Sequence, residues 1–144
     1  MTLPSVGIVI PAYNEEDSIR ACVTAAIGQT VPAAEIIVVD NKSTDGTSAI
    51  LDELATQHPG VPLRILRQES AQGITPTRNM GFDAVTSDII GRIDADTLLE
   101  PDWVENVARV FLDTSIHAAT GPVIYYDMPL RRYMARADDT ARKA

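Results

Sequence analysis

Asp94 and Asp96 stand two residues apart in GRIDADTLLEPDW, the stretch from Gly91 to Trp103, directly after the apolar residues Ile89, Ile90 and Ile93. On an extended chain, residues two apart project to the same side. Both carboxylates would therefore face one site, with the small Ala95 turned away. Two negative charges that close repel each other and resist desolvation, so something must compensate them. Hard divalent ions such as Mg²⁺ and Mn²⁺ take oxygen ligands, commonly one or two carboxylates together with phosphate oxygens and water. The pair suits a metal-bound diphosphate. The competing reading is that Asp94 or Asp96 caps a turn or the next helix, because D-x-D alone is a common pattern.

Asp40 invites similar chemistry. It ends the apolar run from Ile36 to Val39, where a carboxylate can accept hydrogen bonds from a ribose or a base. A dinucleotide site would also need a glycine-rich turn after the first strand. That turn is PAYNEE, without G-x-G-x-x-G or G-x-x-x-x-G-K-[ST], which disfavours both a Rossmann oxidoreductase and a P-loop. DADT matches the D-x-D-x-T of haloacid-dehalogenase-type phosphatases. In those enzymes the pattern follows the first strand of the core, whereas here it follows the fourth.

Residues placed this way need a frame. The chain has 144 residues, 45% of them apolar and 22% charged, which fits one globular domain with a real core. A net charge of −8 disfavours nucleic acid as a partner. No apolar run is long enough to span a bilayer and no secretory signal opens the chain, so a cytoplasmic setting is expected. Cys22 is the only cysteine, which excludes an intrachain disulfide and fits a reducing compartment.

Strands are expected at Val6 to Ile10, ended by Pro11, and at Ile36 to Val39, Leu63 to Leu66, Ile89 to Ile93 and Ala118 to Tyr125. Asn14 with Asp17 three residues on reads as a capping box for a helix whose Ile19, Cys22, Val23, Ala26 and Ile27 share a face. That periodicity places Cys22 in the core. Asp45 would cap a helix carrying Ile50, Leu51 and Leu54. Thr75 and Pro76 would open one that runs to about Val85, and Pro101 one that carries Val104, Val107, Ala108 and Phe111. The strands are continuous apolar runs, which indicates a parallel sheet covered on both faces by right-handed β-α-β units. Ligands bind such sheets beyond the carboxyl ends of the strands. Pro11 to Glu15, Asp40 to Asp45 and Asp94 to Asp96 all gather there. The sequence contains no internal repeat and no low-complexity tract.

Four segments, VGIVIPAYNEEDSI, EIIVVDNKSTDGT, GITPTRNMG and IIGRIDADTLLEPDWV, resemble in order and spacing the successive motifs of the family 2 glycosyltransferases with the GT-A fold, over about Val6 to Pro122. The resemblance implies an α/β fold, a three-layer α/β/α sandwich with a mainly parallel, Rossmann-like sheet, incomplete at the C-terminus. Residues 1–128 would form the nucleotide-sugar-binding domain and 129–144 a polar helix or tail. Pro11, Ala12, Tyr13 and Glu15 would line the nucleoside pocket, with Tyr13 near the base. Asp40 would hydrogen-bond the base, while Asn41, Ser43 and Asp45 shape its pocket. Arg78 would approach the diphosphate. Asp96 would be the more direct metal ligand, with Asp94 leaning toward ribose or metal-bound water and Ala95 between them in the nucleotide site. Thr77 stands where alanine is common, a departure expected to matter little. The implied reaction is inverting transfer of a sugar from a UDP- or GDP-type donor to a carbohydrate or lipid acceptor hydroxyl, with Mn²⁺ or Mg²⁺.

Plainer readings stand beside these. Tyr13 can pack at a strand end, Asp45 can be only a cap, and Arg78 can pair with a surface acid. Glu15 and Glu16 suit a first helical turn in any case. The family's general base lies further downstream. Asp127 is too near the expected strand end, and Asp138 and Asp139 sit in a tail without a family signature, so no catalytic residue is assigned. Two explanations follow: a fragment or natural truncation that keeps donor binding, or a homodimer that completes the site. Arg131, Arg132 and Arg136 suggest a peripheral contact with the inner face of a membrane, against a solvated helix as the default. His58 and His117 lack metal-ligand company and receive no role. The functional classes are a metal-dependent glycosyltransferase, a nucleotide-binding module without transfer, and a phosphatase-like hydrolase.

Overall fold

The structure, a computed structural model, describes residues 2–121. The chain divides into two compact units, residues 1–113 and 114–144. In the second, residues 114–121 form turn and irregular backbone. The strand expected over Ala118 to Tyr125 is therefore absent over 118–121. Its remainder, and the expected polar helix over 129–144, lie outside the described residues.

The first unit alternates strand and helix: β1 (Val6–Ala12), α1 (Ile19–Ile27), β2 (Glu35–Asp40), α2 (Thr47–Gln57), β3 (Leu63–Arg67), α3 (Ile74–Ala84), β4 (Ile89–Arg92) and α4 (Trp103–Val110). The four strands pair in parallel in the order β3-β2-β1-β4. β1 and β2 are buried along their whole lengths, as central parallel strands with helices on both faces must be. On one face Ile8, Ile10, Ile36 and Val38 pack with Ile19, Cys22 and Val23 of α1, Leu51 and Leu54 of α2, and Val104 and Ala108 of α4. On the other face α3 lies directly over Val9 and Val39. The α/β/α layering expected from the sequence is present.

Several boundaries differ from the sequence reading, each for a local reason. Asn14 does not cap the first helix. It takes φ +52°, and α1 begins only after Ser18, whose side chain makes no cap bond. Asn tolerates the left-handed region, and its amide is used elsewhere. α3 starts at Ile74, ahead of the expected Thr75 and Pro76, because Gly73 at φ +127° turns the chain into it. Pro76 is then the third helical residue, still among those whose N–H has no intrahelical partner. α4 starts at Trp103, after a turn at Pro101 and Asp102.

β1 runs through Pro11, where the sequence predicted its end. The carbonyl of Val9 accepts the Ile93 N–H at 3.1 Å on the β4 side. Two residues on, the next donor toward β4 would be residue 11, and proline has none. Pairing with β4 stops at Val9↔Arg92, while pairing with β2 continues to Ala12↔Asp40. One missing donor thus ends the β1–β4 ladder just where the chain enters Asp94.

The opposite end of the sheet is held by a buried acid. Glu35 is 7% exposed, and its Oε1 accepts from Thr86 N at 2.7 Å, Ser87 N at 2.7 Å and Ser87 Oγ at 2.6 Å. Burial pushes its pKa up, but the hydrogen bonds from Ser87 and Thr86 outweigh burial and hold it below the usual glutamate value. A depressed folded-state pKa gives stability that is present above the unfolded value of about 4.3 and lost as pH falls through the folded one. Glu35→Ala should cost about 1–3 kcal/mol in urea unfolding at pH 7. Glu35→Gln should flatten the fall in stability below about pH 4. Equal acid sensitivity in both proteins would contradict this.

Candidate functional site

A cleft of about 400 Å³ opens at the carboxyl ends of β1, β2 and β4. It lies where the strand order reverses, because β2 and β3 extend the sheet to one side of β1 and β4 to the other. Pro11, Ala12, Tyr13 and Glu15 line it after β1, Asn41 after β2, and Asp94, Ala95 and Asp96 after β4. A fourth wall, Gln72, Gly73, Ile74 and Thr77, comes from the start of α3 and the segment before it. The structure thus brings together eight of the residues singled out in the sequence. Asp40, Ser43 and Arg78 do not line the cleft.

The carboxylate pair alternates with packed residues. Ile93 and Ala95 are buried, and Asp94 and Asp96 are exposed. The turn here is closed by the Asp94 carbonyl, which accepts the Thr97 N–H at 3.0 Å, so the Asp94 carboxylate is not used as a cap. It meets Arg92 instead, Nη2 to Oδ1 at 2.5 Å. Compensation of one of the two charges therefore comes from a strand neighbour two residues earlier, which the sequence reading passed over. Beneath them, the Cys22 thiol reaches the Asp94 carbonyl at 3.5 Å. Burial pushes its pKa up to about 12, with the nearby carboxylates of Asp96, Glu15 and Asp94 adding to the shift, so it is a packing residue and not a nucleophile.

The donor set can be tested against a divalent cation. Among the described residues no group of three or more His, Cys, Asp or Glu could hold a metal ion by itself. Two carboxylates on one open cleft do fit an ion that also takes phosphate oxygens and water, which is the usual Mg²⁺ or Mn²⁺ arrangement.

Asp40 is 2% exposed and already engaged. Its Oδ1 accepts Ser43 N–H at 3.2 Å, and its Oδ2 meets the Ser48 hydroxyl and Arg67 Nη1, the latter at 2.5 Å. Arg67 also reaches Asp52 at 2.7 Å. Burial raises the Asp40 pKa, but bonds from Ser43, Ser48 and Arg67 overcome it and hold the acid ionised. Its first effect is to fix the 40–48 segment.

That segment is clasped to the one after β1. Asn14 donates its N–H to Ser43 Oγ at 3.0 Å, and its Oδ1 accepts Thr44 N–H at 2.7 Å. Glu15 N–H donates to Thr47 Oγ1 at 2.8 Å, Glu16 N–H to Asp45 Oδ2 at 3.2 Å, and Gly46 N–H to Glu16 Oε2 at 2.6 Å. Asp45 does serve the start of α2, accepting Thr47 N–H at 2.9 Å from one position before the cap residue Gly46. This also explains why Asn14 is unavailable to cap α1.

Gln72, Gly73 and Ile74 were missed as lining residues because placing the helix start at Thr75 left them as plain loop, and Thr77 because it reads as an ordinary helical position. Thr77, whose departure from alanine was expected to matter little, is 2% exposed and donates its hydroxyl to the Gly73 carbonyl at 2.6 Å.

The sequence model of the family described as glycosyl transferase family 2 matches residues 7–141. The chain is 34% identical over 124 residues to glycosyltransferase AglE of Haloferax volcanii, covering 85% of this chain and 40% of that protein. It is 40% identical over 103 residues to a chondroitin synthase of Escherichia coli, covering 72% of this chain and 15% of that one. Its fold is similar, with a TM-score of 0.69 and 26% identity, to the mannosyltransferase PcManGT of Pyrobaculum calidifontis, solved in complex with GDP-Man and Mn²⁺. That match covers 94% of this chain and 39% of the other. The chain thus spans less than half the length of each of these proteins.

Proposed function

The chain belongs to glycosyl transferase family 2, and from that premise we propose that its cleft binds a nucleoside-diphosphate sugar for inverting transfer of the sugar to an acceptor hydroxyl. The observation that carries this reading is the convergence of the segments after β1, β2 and β4 on one cleft with Asp94 and Asp96 at its mouth. The support from relatives is of the same kind: the mannosyltransferase of similar fold was solved with GDP-Man and Mn²⁺.

In the transfer, the acceptor hydroxyl would give up its proton to a general base, to which no described residue is assigned, its oxygen would bond to the anomeric carbon, and the bond from that carbon to the β-phosphate oxygen would break. Negative charge gathers on the departing nucleoside diphosphate. When bound, a divalent cation would supply Lewis-acid stabilisation of that charge. Asp96 and Asp94 would hold it, and Arg92 would give up or share Asp94 as it binds. Tyr13, 51% exposed, and Ile74, 53% exposed, offer apolar surface on two walls for the base. Arg78, on the second turn of α3, does not line the cleft and would have to swing toward it to meet the diphosphate. Asp40 could accept from the base only by exchanging a present partner, and the Ser43 N–H at 3.2 Å is the longest of these bonds. Asp127, Asp138 and Asp139, the acids weighed as a general base, and the basic tail with Arg131, Arg132 and Arg136 lie outside the described residues. Among the described residues no helix is long and apolar enough to cross a membrane.

The test is calorimetric titration of the chain with UDP, GDP and dTDP, each with and without Mn²⁺. One nucleotide should bind at least about tenfold more tightly with Mn²⁺ than without, as expected when the ion bridges protein and phosphate. No binding by a folded chain would sink the reading. Sugar transfer or slow donor hydrolysis by the same sample would separate a transferase from a module that only binds.

A further inference from the structure

Residues 69–75 are all exposed, yet this stretch forms a wall of the cleft. Apolar packing cannot hold a segment whose side chains are all in water, so something polar must fix it. The structure shows what does. Asn41 is 1% exposed, and its amide is almost fully committed to the backbone of this one segment. Nδ2 donates to the Gln68 carbonyl at 2.9 Å and the Ala71 carbonyl at 2.7 Å, and Oδ1 accepts the Gly73 N–H at 2.8 Å. Gln72 Nε2 returns a bond to the Asn41 carbonyl at 3.1 Å. Gln68, 6% exposed, closes the inner turn: its Oε1 accepts Ser70 N–H at 3.0 Å, Ser70 Oγ at 2.8 Å and Ala71 N–H at 3.3 Å. The partners also fix the orientation of the Asn41 amide, since a flipped one would set its oxygen against two carbonyls and its NH₂ against an N–H.

We propose that Asn41 is a positioning residue for nucleotide binding: with both Nδ2 hydrogens spent inside the protein, it acts on the nucleotide by latching residues 68–73 into the wall that carries Gln72, Gly73 and Ile74. The proposal rests on the nucleotide reading above and deepens it. It assigns a buried side chain the task of shaping the nucleoside end of the pocket, and it makes Gln68, which does not line the cleft, a second part of the same device.

Asn41→Asp separates the latch from a direct contact. The carboxylate can still accept from Gly73 but faces two carbonyls with no donor. Backbone hydrogen exchange on the ligand-free chain, together with UDP and GDP titrations in Mn²⁺, reads both halves. Asn41→Asp and Gln68→Ala should each speed exchange at residues 70–74 by about tenfold or more, leave β1 and β2 protection unchanged, and weaken nucleotide binding by a similar factor. Weakened binding with unchanged exchange would mean that Asn41 touches the nucleotide directly, and would overturn the proposal. Faster exchange with unchanged affinity would remove the segment from the nucleotide site and overturn it too. A wild-type chain that binds no nucleotide would defeat the functional reading and the proposed ligand, while the exchange data would still report whether the latch exists. If Asn41→Asp fails to fold, Gln68→Ala gives the same two readouts from outside the cleft.

Discussion

Asp96→Ala should remove Mn²⁺-dependent nucleotide binding from a chain that still folds. Asp96 is exposed at the cleft, while the packing at this turn is done by its neighbours Ile93, Ala95 and Leu99, all buried. An exposed substitution away from this packing should leave the fold intact. The loss of one of two carboxylates from a cleft that offers no group of three such ligands among the described residues should weaken binding in Mn²⁺ by about 100-fold or more, since even groups behind a metal's ligands are worth about 10–100-fold. Calorimetry in Mn²⁺ and in EDTA, with a thermal melt on the same sample, checks both halves. Asp94→Ala should be milder, because the family resemblance makes Asp96 the more direct ligand; it would also release Arg92 from its pair with Asp94. Unchanged Mn²⁺ dependence in Asp96→Ala would remove the metal from this cleft.

The second large effect is on the fold. Gly81 lies on α3 where a Cβ would come within 2.4 Å of Val9 Cγ1 and 3.3 Å of Val39 Cγ2. Both neighbours are fully buried core residues, so neither can swing aside. Gly81→Ala gains about 1 kcal/mol of helix propensity and loses about 1–3 kcal/mol to overpacking, a net loss that should lower the melting temperature by several degrees. Gly81→Leu cannot fit without lifting α3 from the sheet, and should cost more than about 3 kcal/mol or prevent folding. Because α3 also carries Ile74 and Thr77 into the cleft, Gly81→Ala should weaken nucleotide binding while leaving both carboxylates in place. A more stable Gly81→Ala would show that the helix stands further from the sheet than this.

The sequence made the frame and the mouth of the site readable for simple reasons. Continuous runs such as IIVVD permit little but a buried parallel strand, and a carboxylate placed just after one can only be at the sheet's carboxyl edge. What escaped it depends on partners distant in sequence. Asn14 looks like a helix cap until Ser43 and Thr44, about thirty residues away, claim its amide and N–H. Pro11 looks like a strand end because its missing donor matters on one side only, a fact that needs the neighbouring strands to be known. Arg92 gives no sequence signal of its role, because an exposed arginine on a strand reads as surface until its side chain is seen to turn along the chain to Asp94. Gln72 and Gly73 join the wall through Asn41, whose amide bonds to the backbone of their segment from about thirty residues away, a pairing no local pattern announces.

The clasp between the segments after β1 and β2 has a kinetic consequence. Those two segments are bonded to each other, side chain to backbone in both directions, before any ligand arrives. A nucleotide entering from that side meets a preorganised rim, and little ordering entropy remains to be lost on docking. Its association should then appear as a single phase, linear in concentration, without the plateau that a slow closing step imposes.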